Sequence, residues 1–173
     1  MGNKDIQKSI YKFDDDLNDL VNKVGHTPAL RTNGDGNSVP LIEWTDEFDI
    51  NVRELDGQNK ALVKKINELF FCLRGYSHQI RAYTVLNELK ALIETNFLNE
   101  ERIMERYEYH IYKSHKKEHN KLSKEVQKIV KRCRLDDIET LEKMAIFLKD
   151  WLIKHIMEED KEMGNYLNNK GVT

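Results

Sequence analysis

The chain has 173 residues, 34% of them charged and only two of them proline, a composition typical of one domain of long helices with solvated faces. Its formal net charge of −2 gives no electrostatic reason to expect nucleic acid or an anionic membrane as a partner. No stretch approaches the roughly 20 apolar residues of a membrane span, and the N-terminus lacks the pattern of a secretory signal, so we expect a cytoplasmic protein.

The first part of the chain predicts an amphipathic helix followed by a linker. Apolar residues recur at steps of three and four over residues 6–24, which is the spacing of one helix face, and Gly25 can end this helix. Residues 27–40 are polar and rich in Gly and Asn, as linkers are. We therefore divide the chain into residues 1–40 and a helical domain of residues 41–173. The N-terminal helix either docks on that domain or pairs with a second copy in a homodimer.

The rest of the chain predicts four long helices. They span about residues 54–73, 79–107 and 111–131, and a fourth runs from the N-cap candidates Asp136 and Asp137 to about residue 168. Short connections between long helices predict an up-down-up-down four-helix bundle, which is an all-α fold. The sequence has no strand pattern and no repeat.

Several residues have ordinary structural interpretations. Cys72 lies in an apolar run and is assigned to the core, together with Met104, Met144 and Trp151. The pairs Lys116-Lys117 and Lys131-Arg132 are assigned to solvated faces, and His26, His78 and His110 to the surface or to loops.

The second half of the chain contains metal-ligand residue types at helical spacing. His115 and His119 are four residues apart, so they lie on one face of a helix and can bind one ion. Glu100 precedes them on the predicted second helix, and His155 and Asp160 follow on the fourth.

The segment from Trp44 to Leu167 resembles a bacterial hemerythrin domain. Four motifs, one for each helix, carry the resemblance: Leu55-Asp56-x-Gln58-Asn59-x-x-Leu62, Asn96-Phe97-x-x-Glu100-Glu101, His115-x-x-x-His119, and Trp151-Leu152-x-x-His155-x-x-x-x-Asp160. That family is a four-helix bundle in which five histidines and two bridging carboxylates hold two irons. The resemblance implies metal ligands at Glu100, His115, His119, His155 and Asp160.

Two of the five histidines of the family are replaced in this chain by Asn59 and Asn96. In the family, three histidines of the third and fourth helices bind one iron, and two histidines of the first and second helices bind the other. The resemblance therefore implies that this chain keeps one complete half-site and lacks the histidines of the second.

Three neutral imidazoles and two carboxylates match the charge of one divalent cation and suit iron, zinc or manganese. We expect one iron ion rather than two, because neutral amide oxygens are poor ligands for first-row transition metals. The two Asn side chains can instead bond to the carboxylates or to a bound water.

The family function is reversible O₂ binding, which draws one electron from each of two Fe(II) ions, and a single ion cannot supply both. One hypothesis is a hemerythrin-like, one-metal protein for iron binding or for gas or redox sensing, with O₂ or another small diatomic molecule as ligand. The alternative is a metal-free interaction or structural bundle, dimeric through the N-terminal helix. A mononuclear metalloenzyme ranks last, because no general base or substrate pocket can be identified, so we expect no enzyme and no catalytic residue.

Overall fold

A computed structural model describes residues 39–73, 79–132 and 138–173 of the chain. Residues Pro40–Thr173 form one compact unit. The predicted N-terminal helix, most of the linker, His26, His78 and the two N-cap candidates lie outside the described residues, and the domain division stays a prediction.

Four long helical segments form the bundle, as the sequence predicted. A 3₁₀ turn at Asp46–Phe48 precedes α1 (Arg53–Leu73), α2 (Gln79–Arg106), α3 (Tyr112–Arg132) and α4 (Ile138–His155). A π-helical turn at Ile156–Asp160 then leads without a break into α5 (Lys161–Asn169). Helix α1 packs on α2 and α4, and α2 packs on α3. No strand occurs in the described parts of the chain.

Periodic apolar residues explain why these segments are helices and how they pack. In α1 the buried apolar side chains recur at steps of one, three and seven, and form a single stripe: Leu55, Leu62, Val63, Ile66, Leu69, Phe70 and Leu73. Cys72 lies beside this stripe and is only half-buried, so its assignment to the core is wrong. Met104 and Met144 are fully buried, as predicted.

The helix ends follow local signals. Gly171 adopts a φ of 80° just after α5, and its N–H donates to the carbonyl of Asn168, which closes the helix end. His110 is exposed in the turn between α2 and α3, as predicted. No helix among the described residues has the length and apolar character needed to cross a bilayer.

The segment that leads into α1 is held against α5 by the backbone of Ile50. Its N–H donates to the carboxylate of Asp56 at 2.8 Å, and its carbonyl accepts from the side chain of Asn168 at 3.0 Å. Gly164 permits this close approach, because a Cβ at that position would lie 2.5 Å from the Ile50 carbonyl oxygen.

We therefore expect Gly164→Ala to lower the free energy of unfolding by about 1–3 kcal/mol through overpacking. The matched control is Gly57→Ala at an exposed position of α1, where an added Cβ meets nothing within 4 Å. The control should stabilise the protein by up to about 1 kcal/mol, because alanine favours a helix interior over glycine. Urea unfolding of both variants measures the difference, and equal stabilisation by both would contradict the tight contact at Ile50.

Candidate metal centre

The five residues that the resemblance implied as ligands come together in the middle of the bundle. Helix α2 contributes Glu100, and α3 contributes His115 and His119 one turn apart. His155 directly precedes the π turn, and Asp160 is its last residue. All five side chains are buried, with at most 5% of any residue exposed. One ligand atom from each of Glu100 and the three histidines lies within 4.8 Å of the others.

The three histidines point their Nε2 atoms at a common space. His119 Nε2 lies 3.1 Å from both His155 Nε2 and Glu100 Oε2. His115 Nε2 lies 3.5 Å from Glu100 Oε2 and 3.4 Å from Asp160 Oδ1. His155 Nε2 lies 3.3 Å from the same Asp160 oxygen. Three nitrogens and one oxygen of each carboxylate therefore converge.

The π turn explains how His155 and Asp160 reach the same space although they are five residues apart. In an α-helix, residues at that offset point about 140° apart, because each residue turns the helix by roughly 100°. A π turn adds one residue to the turn and so brings both side chains to one face. The sequence did not lead us to predict this turn, although the five-residue spacing between two predicted ligands was a signal for it.

Asn59 and Asn96 occupy the other side of the carboxylates. Asn59 is fully buried, and its side-chain amide donates to Asp160 Oδ2 at 3.1 Å. The amide of Asn96 donates in turn to Asn59 Oδ1 at 3.3 Å. The expected hydrogen bond from an Asn amide to a carboxylate is confirmed for Asn59. Asp160 thus has one oxygen facing the histidines and the other bonded to an amide.

Burial and charge oppose each other in this cluster. Burial disfavours the charged form of His115, but the nearby carboxylates of Asp160 and Glu100 outweigh it and raise the pKa of His115 to about 9. Burial also favours the neutral form of Asp160, yet the neighbouring His155 and His115 hold the pKa of that carboxyl well below its usual value. The pKa of Glu100 is lowered as well, because His115 and His119 outweigh burial and the charge of Asp160.

The unsatisfied atoms of the cluster fit a cation. Both Glu100 oxygens, Asp160 Oδ1 and both His115 nitrogens are buried without a hydrogen-bond partner among the described residues. Buried polar atoms without a partner are costly, and the carboxylate oxygens and one nitrogen of a neutral His115 each have a lone pair to offer. Nitrogen and oxygen ligands lie about 2.0–2.2 Å from a first-row metal, so ligands on opposite sides are roughly 4 Å apart. The ligand atoms of Glu100 and the three histidines lie within 4.8 Å of one another, which is close enough for them to surround a divalent cation.

Two aromatic rings hold the histidine planes. The ring of Phe97 stacks on His119 with centroids 3.8 Å apart and the planes 1° from parallel. Trp151 stacks on His155 at 4.3 Å and 18°. Trp151 is half-buried and also lies against Phe97, so its assignment to the core is confirmed in part.

Two further residues beside the centre were not assigned a role from the sequence. Glu101 Oε1 lies 3.3 Å from His119 Nδ1, and Glu101 Oε2 lies 2.8 Å from Lys116 Nζ. The side chain of Lys116 is 44% exposed, so the predicted solvated face is confirmed for it, as it is for the exposed Lys117. No local spacing rule predicts a contact between residues on two different helices.

Comparisons with known proteins agree with this geometry. The family model of the hemerythrin HHE cation binding domain matches residues 51–167. The bacteriohemerythrin of Clostridium acetobutylicum is 26% identical over 126 residues, which make up 70% of this chain and 98% of that protein. The bacteriohemerythrin of Methylococcus capsulatus is 31% identical over 133 residues, or 74% of this chain and 98% of that one. A crystal structure of wild-type hemerythrin, 28% identical, has a TM-score of 0.65 and covers 73% of this chain and 98% of its own. The chain belongs to the hemerythrin HHE domain family, as the resemblance predicted.

Proposed function

We propose that this protein is a hemerythrin-like metal-binding protein that holds one divalent cation in the half-site of the three histidines. Glu100 and Asp160 complete the ligand set, with iron as the first choice and zinc or manganese as alternatives. The role that follows is iron binding or gas or redox sensing rather than ordinary O₂ carriage. We assign no catalytic residue to this centre.

The hydrogen bond from Asn59 to Asp160 Oδ2 is the observation that carries the one-ion proposal. A cation at the second position needs the lone pair that this oxygen gives to the amide. The amide hydrogen also places partial positive charge at that position, which opposes a second cation. Asn96 supports the arrangement, because its own amide donates to Asn59 Oδ1 and so orients the Asn59 nitrogen toward the carboxylate.

A solvent-filled cleft lies beside His155. This cleft of about 330 Å³, open to solvent, is lined by this histidine together with Trp151, Glu118, Lys154, Glu158 and Glu159. His155 is 5% exposed, whereas the other two histidines are at most 1% exposed. Three nitrogens and two oxygens would leave a six-coordinate ion one position for a diatomic molecule, and the cleft at His155 is on the side of the centre with the most exposed histidine.

We expect purified protein loaded with Fe(II) under anaerobic conditions to retain one iron per chain after desalting. Elemental analysis measures the content. An optical spectrum in air should also lack the charge-transfer absorption of a coupled iron pair. Two retained ions per chain, or a reversible coloured form in O₂, would contradict the one-ion proposal.

A metal-free bundle is the second candidate, and the raised pKa of His115 favours it. A protonated imidazole between Glu100 and Asp160 partly neutralises both carboxylates without any cation. An interaction or structural role would follow in that case. Retention of no metal in the loading experiment would favour this candidate over the first.

A further inference from the structure

The two ring nitrogens of His119 have different surroundings. Nε2 faces the centre, 3.1 Å from both His155 Nε2 and Glu100 Oε2. Nδ1 faces away from it, 3.3 Å from the Oε1 oxygen of Glu101. A neutral imidazole carries its proton on only one of these nitrogens, and only the other can offer a lone pair to a cation.

The carboxylate of Glu101 is held at both oxygens. While Oε1 faces His119, Oε2 lies 2.8 Å from Lys116 Nζ. The same ammonium donates to the hydroxyl of Tyr112 at 3.0 Å. Only 15% of the Glu101 side chain is exposed, against 44% for Lys116, so the lysine covers the carboxylate on the solvent side. A carboxylate paired with an ammonium remains a hydrogen-bond acceptor.

We propose that Glu101 is a positioning residue of the metal centre, accepting a hydrogen bond from the Nδ1–H of His119 and thereby directing the Nε2 lone pair toward the cation. This inference rests on the proposed function, since it assigns a role in metal binding. The stacked ring of Phe97 cannot replace Glu101, because stacking holds the plane of the imidazole but does not choose between its two nitrogens. Carboxylate partners of this kind commonly strengthen metal binding by histidine.

His119 differs in this respect from its neighbour on the same helix face. The Nδ1 atom of His115 is buried and has no hydrogen-bond partner among the described residues. Loss of the Glu101 carboxylate should therefore change the tautomer of His119 alone, and a residue-specific measurement can detect that change.

The test compares metal affinity in Glu101→Ala, Glu101→Gln and a control. Glu94→Ala is the matched control, because it removes another carboxylate of α2 that pairs with a lysine, Lys90 at 2.8 Å, away from the centre. We expect Glu101→Ala to weaken zinc binding by about 10–100-fold, the usual effect of losing such a partner. Glu101→Gln keeps an acceptor oxygen and should recover most of the affinity, and Glu94→Ala should leave it unchanged.

Nitrogen-15 NMR of the metal-free protein at alkaline pH provides a second readout that a merely structural role would not change. The parent and Glu101→Gln should show His119 as the Nδ1–H tautomer, and Glu101→Ala should show a mixture of tautomers. Parental affinity and tautomer in Glu101→Ala would overturn the inference while leaving the proposed function intact. If the parent binds no metal, the proposed function fails, and the tautomer measurement still decides the role of Glu101.

Discussion

Replacing Asn59 and Asn96 together by histidine is expected to raise the retained iron from one ion to two ions per chain. Both side chains are buried beside the carboxylates, and the amide of Asn59 donates to Asp160 Oδ2. The double substitution removes this donor, frees the oxygen for a second ion and supplies two imidazole ligands. Imidazole is larger than an amide, so some loss of stability, about 1–3 kcal/mol, is expected from overpacking.

Elemental analysis after anaerobic loading and desalting measures this change. Either single substitution should bind the second ion poorly, because one imidazole leaves the second position short of ligands. Asn87→His is the control, since it adds a histidine at an exposed position of α2 and should not add bound iron. A double variant that retains no more iron than the parent would mean that the two missing histidines do not limit the site.

Removing the cation is expected to lower the melting temperature of the protein by several degrees at neutral pH. A ligand that binds only the folded state at a hundredfold excess over its Kd stabilises that state by about 2.7 kcal/mol. In a domain of this size, about 1 kcal/mol shifts the melting temperature by roughly 2–4 °C. Calorimetry with and without a chelator measures the shift.

Two histidine variants distinguish the effect of metal bound at the centre from non-specific effects on the melting temperature. His119→Ala removes one ligand and should abolish most of the gain from metal. His110→Ala removes an exposed histidine outside the centre and should keep the full gain. Melting curves of the parent that do not respond to chelator would contradict the metal centre.

The stability that the protein gains from metal binding should grow as pH rises from about 6.5 to about 9. The folded-state pKa of His115 is raised from 6.5 to about 9, so its protonated form stabilises the metal-free protein fully below 6.5 and this contribution is lost as pH rises toward 9. A cation must also displace that proton, so binding strengthens over the same range. Both effects act in one direction, and chelator should have its smallest effect at acidic pH.

The carboxylates set the lower pH limit of the range in which the metal-free protein is most stable. The pKa values of Asp160 and Glu100 are lowered from 3.8 and 4.5, so their contribution is present above those values and is lost as pH falls below them. The metal-free protein should therefore be most stable between about pH 4.5 and 6.5. A melting temperature that rose steadily from pH 6.5 to 9 without metal would contradict the ion pairs of His115.

The helices could be predicted because each one has a local cause. Apolar periodicity placed α1 within one residue of its observed start, and the turn containing His110 was identified as a loop. The convergence of the five ligand residues followed from the resemblance, not from spacing alone. Local rules could not supply contacts between helices, such as those of Glu101 with His119 and Lys116, because these depend on how the helices are rotated against each other.

The π turn and the Asn59 hydrogen bond were not predicted from the sequence, for two different physical reasons. The turn changes the residue period within a continuous helix, and its only sign was the spacing of His155 and Asp160. The hydrogen bond of the Asn59 amide could not be predicted, because it depends on which oxygen of Asp160 faces α1. Neither detail alters the fold, yet both bear on the number of ions that the centre can hold.

Helix α5 is only nine residues long, yet it contacts several parts of the bundle. It begins directly after Asp160, a residue of the centre, and its later residues contact Ile50 through Gly164 and Asn168. The hydroxyl of Tyr166 donates to the carbonyl of Tyr107 at the corner between α2 and α3. Two loops at the same end of the bundle are thus joined to the centre through about two and a half helical turns. Local opening of α5 would disturb Asp160 and both loops together, so we expect this end of the bundle to exchange its amide hydrogens as one cooperative unit.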